Sequence, residues 1–225
     1  MTGTGLETMV NSLVDDTLDQ THLVNLLNAA DGLISGERDW EKLKAIDSSK
    51  TWISSDTYTT TKALPTDFFA PYKLYVQGET RPWPAIGLAD RERYKDIFGR
   101  WYIDFANDTF SLCGVTGSTR ILYLVYLKTT TLWTVATLGS VSPWYPARFH
   151  PLLAFYVAGL HLGGVDSDDI AARMSPVNRN EFLALKKAMI AWDARLKMHT
   201  MNYAARSPDI IPGTRADVVG EGEIW

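Results

Sequence analysis

One cysteine, Cys113, is all the chain holds, which excludes an intrachain disulfide and the small disulfide-stapled folds. Cys113 lies between Leu112 and Gly114 in a mostly apolar stretch, where it reads as a small buried hydrophobe rather than a nucleophile. Clustered Lys and Arg are missing too: 22 basic residues are outweighed by 26 acidic ones, a formal net charge of −4. That excludes the electrostatic footprint of a protein that grips nucleic acid. The longest apolar stretches, Pro151 to Leu162 and Ile121 to Leu127, fall short of the roughly 20 residues a membrane-spanning helix needs. Met1-Thr2-Gly3-Thr4-Gly5 has no positive start and no apolar run after it. We therefore expect no secretory leader, no membrane, and folding in a reducing cytoplasm.

Familiar catalytic patterns are equally scarce. His22, His150, His161 and His199 stand far apart, none in a metal-ligand spacing with Cys, Asp or Glu. His150 reads as an exposed or capping residue at a helix start, and His161 as a core histidine. Gly114-Val115-Thr116-Gly117-Ser118 lacks the lysine and helix of a phosphate loop, and there is no Gly-x-Ser-x-Gly elbow. The pairs Asp15-Asp16 and Asp168-Asp169 fall on polar faces or helix ends, where carboxylates face solvent or a helix dipole. We expect no catalytic residue, no metal and no cofactor.

What is present is a chain with 46% hydrophobic residues and eight tryptophans, enough for a sizeable core. Leu6, Met9, Val10, Leu13, Val14 and Leu18 recur at helical period. Thr21 is placed to cap a second helix carrying Leu23, Val24, Leu26, Leu27, Leu33 and Ile34. Trp40 and Leu43 turn inward after it. From Lys50 the period becomes two. Thr51 to Ser54, Tyr58 to Thr61, Lys73 to Gln77 and Arg120 to Leu127 read as strands, and Trp101 to Phe105 with Thr109 to Cys113 as a hairpin around Asn107-Asp108. Arg81-Pro82-Trp83-Pro84 reads as a turn and Arg91 to Phe98 as a helical excursion. His150-Pro151 opens a helix that is apolar almost all round, Ser167-Asp168-Asp169 caps the next, and Ser175-Pro176 kinks or restarts the chain. Phe182, Leu183, Leu185, Met189, Trp192 and Leu196 continue a helical face to about Met198.

The expected fold is α+β: a helical bundle with an inserted antiparallel β region and an extended C-terminal arm. A single domain spans 1–204, with helices over 6–45 and 149–200 and the β region over 50–128. Residues 205–225 form the arm, whose Pro208, Pro212 and Gly213 deny it a period while Ile210, Ile211, Val218, Val219 and Trp225 supply apolar anchors.

One constellation has a family likeness. Leu23 to Ala30 leads to Asp39-Trp40-Glu41-Lys42-Leu43. Strands follow, then Leu64-Pro65-Thr66-Asp67-Phe68 at once before the strand Tyr72 to Gln77. The apolar helix Pro151 to Leu160 and a charged helix with Asp168-Asp169 and Leu183 to Lys187 close the series. Pro65 holds Leu64 extended, Asp67 can cap the turn, and Phe68 and Phe69 can pin it to the core. Over residues 20–198 this order resembles the head-to-tail adaptor, or connector, proteins of tailed bacteriophages. The length of the β region and Pro82-Trp83-Pro84 depart from that pattern. The resemblance implies a structural protein of the virion neck, made in the host cytoplasm: a dodecameric ring below the portal with a channel that DNA crosses without specific binding. Its partners would be the portal protein, tail or nozzle proteins, and itself. The arm residues Ile210, Ile211, Pro212, Val218, Val219 and Trp225 would contact the portal. Another neck, tail-completion or minor virion protein is the nearest alternative. A small enzyme, marked by a pocket with a perturbed carboxylate beside a histidine, is the more distant one.

Overall fold

A computed structural model describes residues 1–114 and 117–206. The chain is a mixed α+β protein whose described part falls into two compact units. Met1–Leu43 and Thr130–Lys197 make a helical unit, and Lys44–Thr129 together with residues 198–206 a β unit, where sequence suggested one domain over 1–204.

The helical unit opens with α1 (Gly3–Val14), ended by Asp15 in the left-handed region at φ 55°, its N–H returning to the Asn11 carbonyl. Leu6 and Val10 are fully buried, whereas Met9, Leu13 and Val14 are half-buried and Leu18 is buried beyond the helix end. α2 (Gln20–Gly36) is capped by Asp19 rather than Thr21: the Asp19 carboxylate accepts from the N–H groups of Thr21 and His22 at 2.9 and 3.2 Å. A carboxylate two residues upstream reaches these N–H groups and also suits the helix dipole. α3 (Arg91–Tyr94) belongs to the β unit and is shorter than the helical excursion expected there.

α4 (His150–His161) is the centre of the helical unit. Leu152 to Gly159 are buried on every side, and α1, α2 and α5 (Ser167–Arg173) pack on it. Gly159 permits the α5 approach, since a Cβ there would lie 2.4 Å from the Ile170 side chain. Asp166, one residue before the expected cap, accepts from the N–H groups of Asp168 and Asp169. Met174 ends α5 extended, so Ser175-Pro176 is a restart: α6 begins at Pro176 and continues through Arg206, past the expected end near Met198 and into the first two residues assigned to the arm. Of its expected face only Phe182 and Met189 are buried. Leu183 is 44% exposed, and Leu185, Trp192 and Leu196 are half-buried.

The β unit holds two three-stranded antiparallel sheets instead of one. The strands are β1 (Lys44–Trp52), β2 (Lys62–Ala63), β3 (Phe68–Val76), β4 (Arg100–Asp104), β5 (Thr109–Cys113) and β6 (Arg120–Lys128). One sheet has the order β1-β6-β3 and the other β2-β5-β4. β1 starts at Lys44, before the expected Lys50, because pairing with β6 makes a strand of a polar run. Tyr58 to Thr61, expected as a strand, is a turn held by side chains: the Tyr58 carbonyl accepts from Tyr102 Oη at 2.6 Å, and the Thr60 carbonyl from Ser111 Oγ at 2.6 Å. The hairpin around Asn107-Asp108 forms as expected, with Asp108 at φ 49°. Trp52, Leu74, Leu122 and Leu124 from one sheet and Phe110 and Leu112 from the other share one core. The Pro-rich segment joins both sheets. Trp83 N–H donates to the Leu74 carbonyl and the Trp101 indole donates to the Trp83 carbonyl, each at 2.8 Å.

Candidate functional site

The Leu64–Phe68 step is a bonded joint in the β unit. Leu64 is buried, and its N–H donates to the Asp108 carbonyl at 2.8 Å. Pro65 closes the turn by accepting from Phe68 N–H at 3.0 Å. The Asp67 carboxylate, expected to cap that turn, instead accepts from Tyr126 Oη at 2.7 Å, while its carbonyl accepts from Thr129 N–H at 2.7 Å. Asp67 thus fastens the start of β3 to the end of β6. Burial, and then the Asp67 carboxylate, hold the Tyr126 hydroxyl far above its usual range. Phe68 stacks on Tyr126 with centroids 5.7 Å apart. Phe69 does not pin the turn: it is 61% exposed, because β alternation sends neighbours to opposite faces.

Trp40 is buried in the helical unit. Its indole N–H donates to the Ile34 carbonyl at 2.7 Å, just before the end of α2, and its ring meets Trp144 edge-on at 5.6 Å. Trp40 and the Leu64–Phe68 group therefore lie in different units.

Buried or ion-paired acids occur in the helical unit, unforeseen from sequence. Asp193, fully buried, accepts the Glu41 N–H at 2.7 Å and faces Arg38 and Lys197 at 3.4 and 3.1 Å. Glu37 takes Tyr156 Oη and Lys186 Nζ, the latter at 2.9 Å. Asp31 is buried with one carboxylate oxygen unpartnered, and burial raises its pKa to about 6 against the opposing pull of Thr130 and Trp144. Asp31 follows Ala30 on the buried side of α2, and that position is the little signal the sequence held.

His150 is not an exposed cap. It is buried, with Nε2 2.9 Å from the Tyr145 carbonyl, and burial lowers its pKa. His161 is half-buried, edge-on to exposed His22 at 5.7 Å. The side chain of His199 lies outside the described residues. Among those residues no three His, Cys, Asp or Glu converge as metal ligands, and no helix is long and apolar enough to cross a membrane. Cys113 is buried, and burial pushes its thiol up, as expected of a small core residue.

The shallow surface clefts among the described residues include the following two. One, about 560 Å³, lies between α5 and α6 beside Met174, Arg179 and Leu183. The other, about 340 Å³, lies among Pro71, Ile86, Leu88, Ile103 and Phe105. The perturbed carboxylate Asp31 lines neither of them. The portal-contacting set Ile210, Ile211, Pro212, Val218, Val219 and Trp225 lies outside the described residues. No protein-family model matches the chain, and no curated protein matches it in sequence.

Proposed function

We propose that the chain is a head-to-tail adaptor of a tailed bacteriophage, a structural protein that assembles as a ring below the portal, joins capsid to tail and leaves a channel for DNA. The observation that carries this reading is the order of the fold. Helices α1 and α2 precede the β unit, α4 to α6 follow it, and the Leu64–Phe68 step enters β3 as a bonded joint. The segment after α6 supplies the portal contact through Ile210, Ile211, Pro212, Val218, Val219 and Trp225. Extended segments with spaced apolar anchors bind by filling grooves or adding to sheet edges, and repetition around a ring multiplies weak single contacts.

The test is the mass of the purified protein, alone and with a portal ring, by light scattering after size exclusion. The full chain and a truncation after Arg206, which leaves α6 whole, are compared. A stoichiometric complex with the full chain that is lost on truncation supports the adaptor role and the role of the final segment. No complex with either form overturns it. Copy number in purified virions separates an adaptor ring from another neck or minor virion component.

A further inference from the structure

The cleft among Pro71, Ile86, Leu88, Ile103 and Phe105 lies on the outer edge of β4, the last strand of its sheet. That edge is covered for one step only. Ala85 pairs with Trp101 in parallel: the Trp101 N–H donates to the Pro84 carbonyl at 3.3 Å, and the Trp101 carbonyl accepts from Ile86 N–H at 2.8 Å. The covering chain then leaves the strand at Gly87 for the short turn Leu88–Asp90. Strand alternation points the N–H and C=O of Ile103 to the same edge as those of Trp101. Neither group has a hydrogen-bond partner among the described residues. The cleft therefore joins mostly apolar walls, with Leu88 38% and Phe105 64% exposed, to one open main-chain donor and acceptor. That combination suits an extended chain, which pairs through its backbone and fills a pocket with alternate side chains.

We propose that the cleft is the docking site of Val218–Val219 of the same chain, which adds a short strand to β4 at Ile103 and sets a valine side chain among Ile86, Leu88 and Phe105. Residues 198–206 belong to the β unit, so the described chain ends there. The span from Arg206 to Val218 reaches about 40 Å when extended, against roughly 30 Å across for a compact unit of this size. Within residues 207–225, Ile210 and Ile211 stand between Pro208 and Pro212, and proline cannot donate to a ladder. No proline follows Pro212, and Val218–Val219 is the adjacent β-branched pair in that stretch, suited to a strand. The inference deepens the adaptor reading without resting on it: an arm assigned to the portal is held on its own β unit until a portal takes it.

Hydrogen exchange of the Ile103 amide, followed by NMR in the full chain, tests the docking. The Trp101 amide, bonded to Pro84, reports on the fold. A strand that binds at about 0.1 mM and is tethered at about 1 mM protects its partner amide about tenfold. Ile103 is therefore expected to exchange about tenfold more slowly in the parent than in the double variant Val218→Asp, Val219→Asp, with Trp101 alike in both. Leu88→Asp, on the cleft side, should lose the same protection, and Ile210→Asp with Ile211→Asp should keep it. Dilution of the parent should leave it unchanged. Equal Ile103 exchange in the parent and the valine variant overturns the proposal. So does protection lost in the isoleucine variant, or protection that falls on dilution, which would make the occupant a second copy. The measurement needs no portal. Portal binding without Ile103 protection defeats this docking alone, and protection without portal binding defeats the adaptor reading alone.

Discussion

Asp193, on the last helix, accepts the backbone N–H of Glu41 at 2.7 Å across 152 positions of sequence. The same carboxylate faces Arg38 and Lys197, and its side chain has no solvent exposure. One residue therefore closes the helical unit on itself. Removing a single partner from a buried charge group typically costs about 3–5 kcal/mol, because the remaining charges are left uncompensated. Asp193→Ala is expected to lose stability on that scale in urea unfolding. Asp193→Asn, whose carbonyl still accepts from Glu41, should lose less.

Asp31 makes stability depend on pH in an unusual direction for an acid. Its folded pKa of about 6 lies above the ordinary 3.8, so the folded chain holds the proton that the unfolded chain releases. The contribution is complete below about pH 4 and is lost as pH rises through 6, at a cost of about 3 kcal/mol. Asp31→Asn should remove this loss, leaving a variant more stable than the parent at pH 7.5 but not at pH 4. Urea midpoints at the two pH values check the sign.

Trp40 fills the turn after α2 and satisfies the Ile34 carbonyl. Trp40→Ala is expected to cost about 3–5 kcal/mol, from lost burial and the cavity left behind. Trp40→Phe keeps most of the packing and should cost clearly less. Thermal unfolding of both variants measures the difference.

The Tyr126–Asp67 bond predicts a more local effect. Tyr126→Phe leaves the stacking on Phe68 but removes the hydroxyl donor, a loss of about 1–2 kcal/mol. Hydrogen exchange should show faster opening of the Asp67–Thr129 contact while amides in β4 and β5 keep their protection.

Strong local periodicity was legible. The helix of Leu152 to Gly159, the hairpin around Asn107-Asp108 and strand β6 lie where apolar spacing and turn chemistry put them. What escaped was set by distant partners. β1 reads as polar and becomes a strand only beside β6, while Tyr58 to Thr61 reads as a strand but is captured by Tyr102 and Ser111. Helix caps moved by one or two residues because the Asp19 and Asp166 carboxylates take the free N–H groups. The buried acids Asp31 and Asp193 carry little local signal, since a carboxylate on a helix usually faces water.

Lys44 pairs with Leu127, so the first and last strands of the β unit lie side by side where that unit begins and ends. Lys44–Thr129 behaves as a plug-in module: its folding brings its own two ends together. The flanking halves of the helical unit then meet across a short effective gap, and the entropy of closing a long loop falls away. A chain built this way tolerates exchange of the whole module, because lengthening or replacing its interior leaves the spacing of the two attachment points unchanged.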